Sequence, residues 1–248
     1  MPRQARKQAE TGIYHVMLRG VNQQQIFEEK EDARKFLWIL KECKAISEFK
    51  LLAYCLMGNH VHLLIKEGRE LLGQIFKRIG GRYVYWYNTK YQRVGHLFQD
   101  RFKSEPVDSD EYLMAVIRYI HQNPVKAGLC KRAEDYPYSS WREYLSEPWI
   151  ADVPFTETII PKEALIDFHR QLGQEMCLDL PEQAVARITD DEAKAVMQQL
   201  TGCRSVADFQ RLTPADRKKA ARQLKNAHLS IRQISRLTGL NAMSIRRI

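Results

Sequence analysis

His60 and His62 flank Val61 in the stretch LLAYCLMGNHVHLLIK, residues 51–66. Two short apolar runs, 51–57 and 61–65, lie on either side of a break at Gly58-Asn59. That pattern predicts two buried strands joined by a tight turn. Side chains two apart on a strand share a face. The spacing therefore sets two imidazoles side by side, with Val61 turned into the core behind them. Two neutral imidazoles on one face can hold a divalent metal ion. A single strand histidine is more commonly a satisfied polar residue, so the pair is a candidate and not a proof.

A second constellation lies in RYIHQNP, residues 118–124. Ser109 or Asp108 can cap a helix over 110–122, and acids fill its first turn. Tyr119 and Asn123 are four apart and would share a helical face. An amide oxygen from Asn123 could complete a metal shell begun by His60 and His62, leaving positions for water or phosphate oxygens on a hard cation. A phosphodiester resists nucleophiles because it is charged, and a metal can polarise and position it. Tyr119 is then a workable nucleophile whose covalent link preserves the bond energy for rejoining. Asn123 precedes Pro124, which is expected to stop the helix, so the shared face is weakened there. The alternatives are a core Tyr119 and a helix-capping Asn123. Tyr83, Tyr85 and Tyr87 are rival nucleophiles that could instead pack or stack, and His121 reads as structural or DNA-facing.

The elements that must position these groups run strand, helix, strand, strand, helix, strand. The strands fall at 13–19, 51–57, 61–65 and about 101–107, and the helices at 28–47 and 71–91. This is the split βαβ order of ferredoxin-like folds, in which the two middle strands are expected near the sheet centre and the 110–122 helix against the sheet. The expected organisation is α+β over residues 1–146, a proline-containing linker over 147–188 with one helix near 162–172, and an all-α domain over 189–248.

The formal net charge is +9 and the pI about 9.3, which favours a polyanionic partner. Charge is uneven: residues 201–248 alone carry +9, and 151–200 carry −6. Ser230 and Gln233 form a capping-box pattern. A turn at 238–241 and a second helix from Ala242 follow, which resembles a helix-turn-helix whose second helix enters the major groove. Ser244, Arg246 and Arg247 are its candidate reading residues. The chain stops inside or at the end of that helix, as a truncated sequence would. Five scattered cysteines without a CxxC pair argue for free thiols in a reducing cytoplasm, near the nucleoid if DNA is the partner. No signal peptide or membrane-length apolar segment is read.

Taken in order, YHVMLRG, IFEEKEDARKFL, NHVHLLI, GHLFQDRFKS, YLMAVIRYIHQNPVKAGL and YPYSSWREYL resemble the REP-associated tyrosine transposases, within the single-tyrosine HUH superfamily. The resemblance covers residues 11–145. It implies a ferredoxin-like nuclease fold, His60 and His62 as ligands of Mg²⁺ or Mn²⁺, Asn123 as third ligand and Tyr119 as nucleophile. It also implies cleavage of single-stranded DNA beside palindromic hairpin repeats, leaving a 5′-phosphotyrosine and a free 3′-OH. The shortest members lack the long C-terminal extension found here.

Arg78, Arg82, Lys90, Arg93, Arg101 and Lys103 are candidates for the DNA backbone, with Tyr87, Phe98 or Phe102 for stacking. The functional expectation is a metal-dependent tyrosine endonuclease and strand transferase. One alternative is a catalytically passive, sequence-specific DNA-binding regulator acting through the helix-turn-helix. Another is a metal phosphodiesterase that uses water and has no need of Tyr119. Whether the protein is a monomer or a dimer is left open by the sequence.

Overall fold

The computed structural model describes residues 7–171, 177–179, 189–227 and 229–247. The chain divides into two compact units, Met1–Ile26 with Glu31–Ala184 and Phe27–Lys30 with Val185–Ile248.

In the first unit the order is β1 (Ile13–Arg19), α1 (Lys30–Ser47), β2 (Lys50–Leu56), β3 (His60–Lys66), α2 (Leu72–Lys90), β4 (Lys103–Pro106) and α3 (Asp110–Lys126). The sheet runs β2-β3-β1-β4, with every neighbouring pair antiparallel. This is the expected α+β ferredoxin-like arrangement. Only one of the two middle strands is central, however: β3 lies inside the sheet and β2 is an edge. Part of that edge is covered by the chain at 138–140, where Leu56 N donates to Tyr138 O at 2.9 Å and Tyr54 N donates to Ser140 Oγ at 2.8 Å.

The strands read as nearly continuous apolar runs because both faces of the sheet are covered. Val61, Leu63 and Ile65 are fully buried on one face. On the other, Ala53, Cys55 and Leu64 join Val116, Ile117 and Ile120 of α3 in one core. Helices α1 and α2 bury apolar stripes at steps of three and four, and the rings of Phe36 and Tyr83 join them at 5.1 Å.

Two expectations fail in α3 and beyond it. Pro124 does not end the helix; it lies inside α3, which runs on to Lys126. Proline removes one donor near a terminus where few intrahelical bonds remain. The turn closes through Ala127 N to Asn123 O at 2.9 Å and through Gly128 at φ +69°. The stretch expected as a linker is largely part of the first unit. After α4 (Trp141–Leu145), it carries α5 (Val153–Glu157) and, where one helix was expected, α6 (Lys162–Arg170), and Val153, Ile160 and Leu165 enter the core. Polar anchors hold it: Glu143 accepts from the backbone N–H of Trp149, Ile150 and Ala151, each at 2.8 Å. Asp152 accepts from Leu51 N at 2.7 Å.

The second unit carries α7 (Asp190–Thr201), α8 (Val206–Gln210), α9 (Pro214–Asn226), α10 (Ile231–Thr238) and α11 (Ala242–Arg246). Its helices are defined by the chemistry at their ends. Capping boxes start α7 at Thr189/Glu192 and α10 at Ser230/Gln233, satisfying otherwise orphaned N–H groups. Gly239, at φ +71°, ends α10 in the left-handed region, and Asn241 caps α11. Phe209, Leu224, Ile234, Leu237 and Ile245 fill the core. Among the described residues no helix is long and apolar enough to cross a membrane.

Candidate active site

The site is built by the pairing of β1 with β3. In this register Arg19 faces His60, Met17 faces His62 and His15 faces Leu64. Alternation then places His15, Met17, His60 and His62 on one face, the face against which α3 packs. The turn before His60 is held from outside, since Gly20 N donates to Asn59 O at 2.9 Å. A Cβ on Gly20 would lie 2.3 Å from Gln24 O, so this approach requires glycine.

The His60 and His62 rings lie 5.0 Å apart. Tyr119 closes on the same point, with its ring 5.7 Å from His62 and 5.9 Å from His15. Because α3 continues through Pro124, Asn123 sits one turn from Tyr119 on a buried face of the helix. Of the residues that sequence reasoning named, the fold thus sets His62 beside both His60 and Tyr119, with Asn123 one helical turn from Tyr119.

Each of these four residues has one polar atom left without a well-formed hydrogen bond. His60 Nε2, His62 Nε2, Tyr119 Oη and Asn123 Nδ2 are all buried with no hydrogen-bond partner among the described residues. A buried polar group without a partner costs about 1–3 kcal/mol, so four in one place mark a site shaped for a guest. An amide flip can present either atom of Asn123. His60 offers Nε2 as a lone pair, since its Nδ1 lies 2.7 Å from Asn59 Oδ1 and donates to it. That assignment is consistent with the Asn59 amide, whose Nδ2 points to Gln23 O at 3.5 Å.

Burial depresses the pKa of all three histidines. His60 falls to about 4, with the Asp179 carboxylate partly opposing and Arg19 adding to the fall. His15 falls to about 3, and His62 drops well below its ordinary value. All are neutral at pH 7, as metal ligation requires. Tyr119 moves the other way: burial first, then the Asp179 carboxylate, raises its phenol above the ordinary value, while Asn123 slightly favours the phenolate. The donor set fits a hard divalent ion held by two imidazoles and an amide. Among the described residues no cluster of three His, Cys, Asp or Glu side chains is arranged for a metal, and an amide as third donor lies outside such a cluster by its chemistry.

Sequence reasoning passed over three residues here. His15 lies on β1, with Nε2 3.0 Å from His62 Nδ1. Lys126 places Nζ 4.8 Å from the Tyr119 ring centre, seven residues and two turns along α3. Asp179 acts on both His60 and Tyr119. His121 is structural: it is fully buried, with Nδ1 2.9 Å from His169 Nε2 and Nε2 2.7 Å from Ser140 Oγ.

The expected DNA-facing cations do not share one environment. Arg78 pairs with Glu70, Arg82 with Glu42 at 3.0 Å, and Lys90 with Glu31 and Asp32 at 2.7 Å. Arg93 donates to Gln24 at 3.2 Å and lies over the Tyr87 ring. Arg101 is exposed in a groove of about 470 Å³ lined by Phe76, Lys77, Phe98 and Phe102, and Lys103 is exposed on the edge strand β4. Tyr83 and Tyr87 are buried with their hydroxyls on Ile26 O and Gln25 O, and Tyr85 is exposed. In the second unit Ser244 and Arg247 are exposed on and beside α11; the Arg246 side chain lies outside the described residues.

With this geometry in hand, comparison with known proteins is specific. Residues 8–123 match the family model described as Transposase IS200 like. A Haemophilus influenzae protein described as a REP-associated tyrosine transposase is 29% identical over 118 residues, which cover 41% of this chain and 66% of that protein. A solved structure of a REP-associated tyrosine transposase bound to a REP hairpin superposes at a TM-score of 0.52 and 18% identity. That superposition covers 62% of this chain and 93% of that one, a likeness of fold. Over residues 8–123 the chain is thus similar to the IS200-like transposases, and the relative and the solved structure that it resembles are REP-associated tyrosine transposases.

Proposed function

We propose that this chain cleaves and rejoins single-stranded DNA beside palindromic hairpins through a covalent bond to Tyr119. The supporting observation is the convergence of the unpartnered His60, His62 and Asn123 polar atoms on the unpartnered Tyr119 hydroxyl. His60 Nε2, His62 Nε2 and the Asn123 amide would hold Mg²⁺ or Mn²⁺, which when bound supplies charge neutralisation at a scissile phosphate. Tyr119 Oη attacks phosphorus and loses its proton, the bond from phosphorus to O3′ breaks, and the departing 3′-oxygen takes up a proton. The products are a 5′-phosphotyrosine and a free 3′-OH, and attack by a 3′-OH reverses the step. Lys126, beside the Tyr119 ring, is placed to offset negative charge developing there. The related chain with a bound REP hairpin supports a hairpin as the DNA recognised.

A role for the second unit belongs to the same proposal. Helices α10 and α11, joined through Gly239 and Asn241, would place Ser244, Arg246 and Arg247 against duplex DNA.

The experiment is incubation with a hairpin-bearing single strand, labelled at either end, in Mg²⁺ or Mn²⁺. A covalent protein–DNA adduct carrying the fragment 3′ of the cut, absent in Tyr119→Phe, is the expected result. Cleavage that survives Tyr119→Phe indicates attack by water. Salt-sensitive duplex binding without cleavage indicates the passive regulator.

A further inference from the structure

The cluster contains a polar residue that the mechanism above does not use. His15 is fully buried in β1, between Ile13 and Met17 on the same face of the strand. Its Nε2 sits 3.0 Å from His62 Nδ1, while its own Nδ1 is buried with no partner among the described residues. A leucine at this place would carry no orphaned nitrogen, so the fold tolerates a cost of about 1–3 kcal/mol to keep an imidazole here. Costs of this kind gather where function needs them.

The contact also decides a proton position. Between two neutral rings only one nitrogen of the pair can donate. If His15 Nε2 donates, His62 must carry its own proton on Nε2, and that nitrogen has no lone pair for a ligand. If His62 Nδ1 donates, His62 Nε2 presents its lone pair toward His60 and Tyr119. His60 has its tautomer set by Asn59 Oδ1. His62 has His15 in the equivalent position, and a ligating histidine commonly depends on such a partner for its orientation and basicity.

We infer that His15 is a positioning residue for His62: it accepts the His62 Nδ1–H bond at Nε2 and so fixes the tautomer and ring direction in which His62 Nε2 can ligate the ion. This inference rests on the reading that His60 and His62 hold a divalent cation. In the metal-loaded state the His15 proton resides on Nδ1, and ion binding moves no net proton within the pair.

The test separates the inference from the reading beneath it. Mn²⁺ binding to the full-length apoprotein is measured by calorimetry and by the signal of free Mn²⁺ in electron paramagnetic resonance. His62→Ala reports on the metal reading itself. If it leaves Mn²⁺ affinity unchanged, that reading fails before His15 is at issue. Given a loss there, His15→Leu is expected to weaken Mn²⁺ binding by about 10–100-fold, and His15→Gln, which keeps an acceptor, is expected to restore part of it. Unchanged affinity in a folded His15→Leu overturns the inference. Should His15→Leu not fold, long-range ¹⁵N–¹H spectra of the wild-type protein with Mg²⁺ decide. The proton is expected on His62 Nδ1 and on His15 Nδ1, and a proton on His15 Nε2 overturns the proposal.

Discussion

Replacing Tyr119 by phenylalanine is expected to stabilise the first unit while ending its chemistry. Tyr119 is 3% exposed, and its buried hydroxyl makes no hydrogen bond of ordinary geometry among the described residues, although the Asp179 and Asn123 side chains stand near enough to act on it. The substitution deletes that oxygen and keeps the ring, with its contacts to His15 and His62 at 5.9 and 5.7 Å and to Lys126 at 4.8 Å. An unsatisfied hydroxyl carries a desolvation penalty of about 1–3 kcal/mol. The void left by one oxygen returns part of that, so the net gain should be on the order of 1 kcal/mol, or about 2–4 °C in Tm for a unit of this size. Tyr144 provides the internal control. Its hydroxyl donates to Leu52 O at 2.6 Å and meets Thr156 Oγ1 at 2.9 Å, so Tyr144→Phe leaves two buried groups short and should cost about 1–2 kcal/mol. Urea and thermal melts of the two variants should therefore move in opposite directions. Equal destabilisation by both would refute the reasoning, because it would mean that Tyr119 Oη is as well bonded as Tyr144 Oη.

Acid should weaken the first unit through its buried imidazoles. Unfolded histidines protonate near pH 6.5, while His60 resists until about 4 and His15 until about 3. Their contribution is whole above pH 6.5 and is lost as pH falls from there toward about 4. By pH 4.5 the loss is on the order of 2–3 kcal/mol per histidine, readable as a falling urea midpoint; a midpoint flat between pH 7 and 5 would contradict it. Gly20→Ala should cost about 1–3 kcal/mol, because the new Cβ meets the Gln24 carbonyl oxygen at 2.3 Å. The strain falls on the backbone that holds Asn59, so Mn²⁺ affinity should drop with it; a neutral melt would show that this loop yields freely. Asp179→Asn removes a charge that raises the Tyr119 phenol. The alkaline limb of the adduct-forming rate should then move to lower pH, and an upward movement would show that Asp179 assists Tyr119.

The hairpin that carries His60 and His62 was readable because two short apolar runs around Gly58-Asn59 admit few other structures, and period two fixes which side chains meet. Tyr119 and Asn123 were readable as a pair by helical spacing, although local proline rules wrongly placed Asn123 at a helix end. Tertiary packing of Val116, Ile117 and Ile120 carries α3 past a residue that propensity treats as a stop. After Leu145 the helix at 162–170 was legible, but the stretch was taken for a linker, because the five-residue α5 is too short to show a period. What orders it is a set of side-chain anchors that reach β2, far away in sequence: Tyr54 Oη donates to Glu143, and Leu51 N donates to Asp152. His15 was invisible for a related reason: one imidazole in an apolar strand says nothing until pairing with β3 is known. The helix-turn-helix pattern was legible because Ser230, Gln233, Gly239 and Asn241 are local signals for helix ends.

The central claim is that Tyr119 itself becomes joined to DNA. Peptide mapping by mass spectrometry, after trapping with a hairpin-bearing single strand and Mn²⁺ and digesting protein and DNA, tests it at the atom concerned. The account predicts a nucleotide 5′-phosphate attached to the peptide bearing Tyr119, and none on the peptides bearing Tyr83, Tyr85 or Tyr87. A modification on one of those tyrosines, or cleaved DNA with no modified peptide, would contradict it.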